Sequence, residues 1–101
     1  MNDTSSGITI ILPHVLREKV GNRKSVMITG CGNRTIREIV SALDEAYPGM
    51  KFHICYETGE LRPFVNLFLN RENIRFLQGL DTPVADGATL HILQSVAGGN
   101  F

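Results

Sequence analysis

The sequence contains no tryptophan, only two cysteines, no long apolar run and no excess of either charge. Two cysteines, Cys31 and Cys55, are too few to form a disulfide-stabilised scaffold. The ten basic and ten acidic residues cancel, so the overall charge favours neither nucleic acid nor an anionic membrane as a partner. No apolar segment is long enough to cross a bilayer. We therefore expect a cytoplasmic protein with no nucleic-acid and no membrane partner.

The first seven residues, MNDTSSG, are polar and lack both the basic start and the apolar centre of a signal peptide. We predict that residues 1–7 form a disordered tail. The rest of the chain is long enough for one small domain, and its 43% hydrophobic content is ordinary for a globular protein. The prediction is a single domain over residues 8–96, followed by a flexible tail over residues 97–101.

The cysteines and histidines do not follow a known metal-binding pattern. Their spacing fits neither Cys-x-x-Cys nor His-x-x-x-His. These residues are Cys31, Cys55, His14, His53 and His91. No Ser/His/Asp or Cys/His set can be assembled either, so the sequence predicts no nucleophilic centre. We expect a protein that is not an enzyme, has no catalytic residue and binds neither a metal nor a cofactor.

One helix and a hairpin are predicted in the first half of the chain. Apolar residues alternate over 8–12 and again over 25–29, and the Gly21-Asn22 pair between them is a turn signal, so two strands should form a hairpin. The sequence Thr35-Ile36-Arg37-Glu38 matches a capping box, in which Thr35 and Glu38 satisfy each other's backbone amides. Apolar residues then follow at helical spacing, which predicts a helix over 35–47 that ends at Pro48-Gly49.

The second half returns to strands. Residues 64–70 alternate, residues 88–96 form a last strand, and residues 74–76 are predicted as a short strand followed by a helical turn over 77–80. One helix cannot cover both faces of a sheet, so the economical packing is a mixed sheet of four to five strands against one main helix. The predicted fold is α+β, of the ubiquitin-like β-grasp type, with the last strand at the centre of the sheet.

Three segments resemble the ThiS/MoaD family of ubiquitin-like sulfur carriers: residues 35–49 (TIREIVSALDEAYPG), 65–70 (VNLFLN) and 80–99 (LDTPVADGATLHILQSVAGG). The resemblance implies that the carboxylate of the last glycine, here Gly99, is adenylated by an E1-like enzyme and then converted by sulfide to a thiocarboxylate. It also implies that partner enzymes use the ATP, Mg and sulfide, and that a biosynthetic enzyme accepts the sulfur.

The sequence departs from the family at Gly99, because a peptide bond joins this residue to Asn100 and Phe101. Carriers with a short extension after Gly-Gly resemble it, as in thioquinolobactin-type siderophore pathways, where a zinc-dependent JAMM peptidase removes the extension. We therefore expect Asn100 and Phe101 to be removed. The segment expected to enter partner active sites comprises Val96, Ala97, Gly98 and Gly99, whose glycines lack the bulk that a narrow channel would exclude.

Apolar residues on the predicted sheet face, Phe64, Phe68 and Leu93, are the candidate docking surface, and the free protein is expected to be a monomer. The product of the pathway, a siderophore thioacid or a sulfur amino acid, stays open. Three other functions also stay open. The small subunit of molybdopterin synthase needs a free Gly-Gly end, a ubiquitin-like modifier forms isopeptide bonds to lysines, and a binding module needs no tail chemistry.

Overall fold

The computed structural model describes residues 7–29 and 34–94. Short 3₁₀ turns lie at Glu18–Val20, Ile74–Phe76 and Gly79–Asp81. The other elements follow one another along the chain as β1 (Gly7–Ile11), α1 (His14–Arg17), β2 (Ser25–Thr29), β3 (Arg34–Thr35), α2 (Ile36–Ala46), α3 (Lys51–Ile54), β4 (Val65–Leu69), β5 (Glu72–Asn73), β6 (Pro83–Val84) and β7 (Thr89–Gln94).

The main sheet has five strands in the order β2-β1-β7-β4-β5, and β3 pairs with β6 in a small second sheet. The predicted hairpin is confirmed, because β1 and β2 are antiparallel with Ile10 opposite Val26. The last strand, β7, lies at the centre, parallel to β1 and antiparallel to β4. This mixed sheet and the helices confirm the predicted α+β, β-grasp architecture.

Both hydrogen bonds of the predicted capping box are present at the start of α2. The Glu38 N–H donates to Thr35 Oγ1 at 3.3 Å, and the Thr35 N–H donates to Glu38 Oε1 at 2.9 Å. A cap of this kind contributes about 1 kcal/mol to stability. The helix ends before Pro48, with Tyr47 as its C-terminal cap. The prediction of a helix over 35–47 is therefore confirmed, with Thr35 and Tyr47 as the flanking residues.

A single apolar core joins α2 to one face of the main sheet. Alternation along the strands places every second side chain in this core, as predicted from the period of two. The central members are fully or almost fully buried: Ile8, Ile10, Ile36, Ile39, Leu43, Leu67, Leu90 and Ile92. The intervening residues of β1, β4 and β7 point to the opposite face of the sheet. We call it the open face of the sheet.

The short strand predicted over residues 74–76 is wrong, because this segment is a 3₁₀ turn. In a strand, Ile74 and Phe76 would share one face. Instead Ile74 is fully buried and Phe76 is 86% exposed. The Asn73 side chain explains the turn, since its Oδ1 accepts the Arg75 N–H at 2.9 Å and closes a local loop. The helical turn predicted next is displaced to Gly79–Asp81.

The short helices α1 and α3 were not predicted. Each has four residues and no side-chain cap, so neither produces a periodic pattern that could be read from the sequence. The last strand, predicted over 88–96, spans Thr89–Gln94, and residues 95 and 96 lie outside the described residues.

Candidate functional site

The predicted functional segment follows directly from the central strand. Gln94, the last residue of β7, pairs with Val65 at the start of β4. Because β1 runs parallel to β7, the end of β1 lies at this same end of the sheet. The C-terminal segment therefore continues from a point flanked by the residues after β1 and those before β4, and we call this end of the sheet the tail pole. The predicted tail residues Val96, Ala97, Gly98, Gly99, Asn100 and Phe101 lie outside the described residues.

The open face of the sheet carries a groove of about 610 Å³. Cross-strand pairing brings Phe68 opposite His91, and His91 is also opposite Ile11 of β1. The groove is lined by Ile11, Phe68, Asn70, Arg71, Thr89, His91 and Leu93. Two predicted docking residues, Phe68 and Leu93, therefore lie in one concave, mixed apolar and polar surface, which we call the sheet groove.

The third predicted docking residue, Phe64, is placed differently. It is 47% exposed and precedes β4, but it does not line the sheet groove. Its position beside Val65 puts it at the tail pole, because Val65 pairs with Gln94. The structure thus divides the three predicted residues between the groove and the tail pole.

Arg75 holds the segment that contains Phe64. Its Nη2 donates to the carbonyl oxygens of Val65 at 2.7 Å and of Arg62 at 3.0 Å. Weaker contacts at 3.5 Å reach the Pro63 carbonyl and Asn66 Oδ1. One guanidinium therefore binds four groups within five consecutive residues, which fixes the backbone next to the last pair of β7. No local sequence pattern indicates these contacts of Arg75, since its partners are 9 to 13 positions away.

Arg62 rigidifies the same segment from the other side. Its guanidinium stacks over the Tyr56 ring at 4.7 Å, and its Nε donates to the Phe52 carbonyl at 2.7 Å. Cation–π stacking of this type contributes about 0.5–1 kcal/mol at an exposed site. Phe52 is 49% exposed and Tyr56 is 40% exposed. The contacts of Arg62 and Arg75 therefore hold the backbone at the tail pole in place.

Among the described residues, the cysteine and the histidines do not come together in one cluster. Cys55 is buried, and burial raises the pKa of its thiol, which keeps it protonated and unreactive near neutral pH. Cys31 lies outside the described residues. Within residues 7–29 and 34–94, no three His, Cys, Asp or Glu side chains are close enough to bind a metal ion together.

In the part of the chain that the structure describes, no helix has the length and apolar character needed to cross a membrane.

The comparisons with known proteins agree with one another on the family. The ThiS family matches residues 10–99, so the match runs through Gly98-Gly99 and stops before Asn100. The sulfur carrier protein CysO of Mycobacterium tuberculosis is 37% identical over 94 residues, which is 91% of this chain and 98% of CysO. A small archaeal modifier protein 3 from Haloferax volcanii is 31% identical over 83 residues, which is 82% of this chain and 88% of that protein.

Among solved structures, a chain in the crystal structure of the Amycolatopsis orientalis BexX/CysO complex is similar, with a TM-score of 0.80 and 38% identity. The alignment covers 91% of this chain and 99% of that one. The similarity therefore extends over the whole β-grasp domain and is not confined to a motif. The chain belongs to the ThiS family of ubiquitin-like sulfur carrier proteins.

Proposed function

We propose that this chain carries sulfur as a thiocarboxylate on Gly99, after the residues beyond Gly99 have been removed. The observation that carries this proposal is the family match, which extends to Gly99 and leaves out Asn100 and Phe101. The position of β7 at the centre of the sheet supports it, because the tail then continues from a strand that is paired on both sides. The chain is a substrate of its partner enzymes and is not itself an enzyme.

The chemistry requires a free carboxylate. A Gly99 carboxylate oxygen attacks the α-phosphorus of ATP in an E1-like enzyme that uses Mg, and pyrophosphate leaves. Sulfide then attacks the acyl carbon, the bond to AMP breaks, and the thiocarboxylate forms. In the chain as written, the Gly99 carbonyl is bonded to the Asn100 nitrogen and cannot be activated in this way. Hydrolysis of that amide, for which a JAMM-type metallopeptidase is the proposed enzyme, must therefore come first.

The structure supports docking through the sheet groove. Phe68 and Leu93 combine apolar surface with the neighbouring polar groups of Asn70 and His91. Apolar anchors in a concave surface with polar groups around them are typical of protein interfaces. We propose that the adenylating enzyme, and then the enzyme that accepts the sulfur, bind here while the tail enters their active sites.

Native protein provides the direct test. Intact mass spectrometry of the chain isolated from its own cells, under conditions where the pathway is active, should show loss of Asn100 and Phe101. A fraction should also show the mass increase of one oxygen replaced by sulfur. Alkylation with iodoacetamide should trap that sulfur on the fragment ending at Gly99. A native chain that keeps Phe101 while sulfur transfer proceeds would contradict the proposal.

The docking surface can be tested with matched phenylalanine variants. Phe68→Ser should raise the KM of the adenylating enzyme about tenfold, because an interface anchor typically contributes more than 1 kcal/mol. Phe76→Ser is the control, since Phe76 is exposed but lies outside the sheet groove, whereas Phe68 is half-buried within it. Both variants should be measured by pyrophosphate release in a background that ends at Gly99. Equal KM values for the two variants would place docking elsewhere.

A ubiquitin-like protein modifier is the second candidate function. The observation in its favour is the 31% identity to a small archaeal modifier protein from Haloferax volcanii. A modifier would form isopeptide bonds from Gly99 to lysines of other proteins. Denaturing immunoblots of an epitope-tagged chain would then show higher-mass conjugates that disappear when Gly99 is deleted. Sulfur transfer alone predicts no such conjugates.

A further inference from the structure

Positive charge is concentrated in the connection between β1 and β2. The chain as a whole is neutral, yet residues 13–24 contain four cations and only one carboxylate, Glu18. The cations are Arg17, Lys19, Arg23 and Lys24. Lys19 and Lys24 are exposed to solvent. A neutral protein with such a segment has a strongly asymmetric charge distribution.

Strand directions place this segment at the tail pole. β1 runs parallel to β7 with Ile11 opposite His91, so residues 13–24 follow β1 at the end of the sheet where β7 finishes. On the other side, Arg62 precedes β4, which runs antiparallel to β7. Burial and then the positive charges of Lys19 and Arg62 lower the pKa of His53, so both cations act on one imidazole. Residues 13–24 and Arg62, which lie on the two sides of β7, therefore form one electropositive region.

These cations are held by neutral groups. Arg17 Nε donates to the Leu12 carbonyl at 3.1 Å, and Arg23 donates to the Val20 carbonyl at 2.9 Å and to the Tyr47 hydroxyl at 3.0 Å. Arg75 is likewise bound by carbonyl and amide oxygens, with its closest contact to Val65. Among the described residues, the only ion pair joins Arg37 and Asp81, elsewhere on the molecule. Within residues 7–29 and 34–94, none of these cations forms an ion pair with a carboxylate, although Glu57 and Glu60 line the same surface depression as Arg62.

We propose that six cations around the tail pole dock the carrier onto an acidic surface of a partner enzyme, around the opening that admits the Gly98-Gly99 tail. We call this set the basic collar: Arg17, Lys19, Arg23, Lys24, Arg62 and Arg75. The inference rests on the proposed function, because it assigns the tail to a partner's active site. It adds the charge of the partner's surface and the direction of approach.

The physical reason is orientation. A neutral chain with its positive charge at one pole gains little attraction overall, but an acidic partner turns that pole, and the attached tail, toward itself. Complementary charge acts chiefly on the association rate and on specificity. The sheet groove contributes contact area. The basic collar orients the carrier so that Gly98 and Gly99 meet the partner first. Nucleic acid fits less well, because the rest of the surface carries the compensating carboxylates.

Charge reversal tests the collar. Lys19→Glu and Lys24→Glu, singly and together, should lower kcat/KM for adenylation of the chain that ends at Gly99. The probe is the adenylating enzyme that charges the unsubstituted chain, measured at about 50 mM and about 300 mM salt, which shortens the Debye length about twofold. The double variant should lose about tenfold in kcat/KM at low salt, with kcat unchanged.

Arg34→Glu is the matched control. It changes the net charge by the same amount as each single variant, but Arg34 lies on β3, which pairs with β6 and not with the main sheet. This control should stay within about twofold of the unsubstituted chain, since surface changes away from an interface have small effects. Raising the salt should reduce kcat/KM for the unsubstituted chain and leave the double variant almost unaffected. Thermal unfolding should show that all variants fold.

The outcomes separate the two proposals. If no enzyme charges the unsubstituted Gly99-ended chain, the proposed function fails and the collar fails with it. If that chain is charged, but the collar variants match Arg34→Glu or salt has no effect, only the collar inference fails. Collar-dependent retention of the chain on an RNA duplex, without any effect on adenylation, would also overturn it in favour of nucleic-acid binding.

Discussion

A chain that ends at Gly99 should be adenylated and then thiolated, whereas the chain that continues through Asn100 and Phe101 should give neither product. The reason is covalent: an amide nitrogen occupies the position of the carboxylate oxygen that must attack ATP. Incubating each form with the adenylating enzyme, ATP, Mg and sulfide, and measuring pyrophosphate release together with intact mass, checks the difference. We expect complete loss with the longer form, because a carboxylate at Phe101 would lie two residues beyond Gly99 and beside a bulky side chain that a channel shaped for glycine would exclude.

Gly99→Ala in the shortened chain tests how narrow the partner's channel is. A methyl group at the reacting end displaces the acyl carbon, and a displacement of about 1 Å can cost about 100-fold in rate. Ser95→Ala is the matched control, because Ser95 lies upstream of the predicted entering segment, residues 96–99. Full activity of the chain that retains Phe101, or no effect of Gly99→Ala, would count against the thiocarboxylate proposal.

The second large effect is on stability. Leu43→Ala should lower the free energy of unfolding by about 2–5 kcal/mol, because it removes a fully buried side chain between α2 and the sheet and leaves a cavity. A domain of this size has a total stability of about 5–15 kcal/mol, so the loss is a large fraction of it. Urea unfolding followed by circular dichroism measures the change.

The control for Leu43→Ala is on the same helix. Ser41 is exposed, and Ser41→Ala should change the free energy of unfolding by less than about 0.5 kcal/mol. A loss below 1 kcal/mol for Leu43→Ala would mean that the packing of α2 against the sheet is not as described.

Much of the local structure could be predicted because it depends on residues that are close together in the sequence. The capping box of α2 involves Thr35 and Glu38, three positions apart, and marks the start of the helix, whereas Pro48-Gly49 marks its end. Alternation in β4 puts Val65, Leu67 and Leu69 on one side of the strand, and this is the side that the structure buries, since a strand with one covered face repeats every two residues. The 3₁₀ turn at Ile74–Phe76 escaped prediction because apolar residues two apart also fit a strand, and only the Asn73 side chain distinguishes the two.

The sequence alone determined the main helix, the four longer strands, the mixed α+β class and the location of the glycine pair, because these depend on short-range periodicity and on residue type. Only the tertiary structure decided what surrounds the tail. Placing β7 between β1 and β4 brings residues 13–24 and Arg62 to one end of the sheet, although they are about 40 positions apart. Long-range pairing, driven by burial of the core, created the basic collar and the Arg75 contacts, and no local pattern encodes either one.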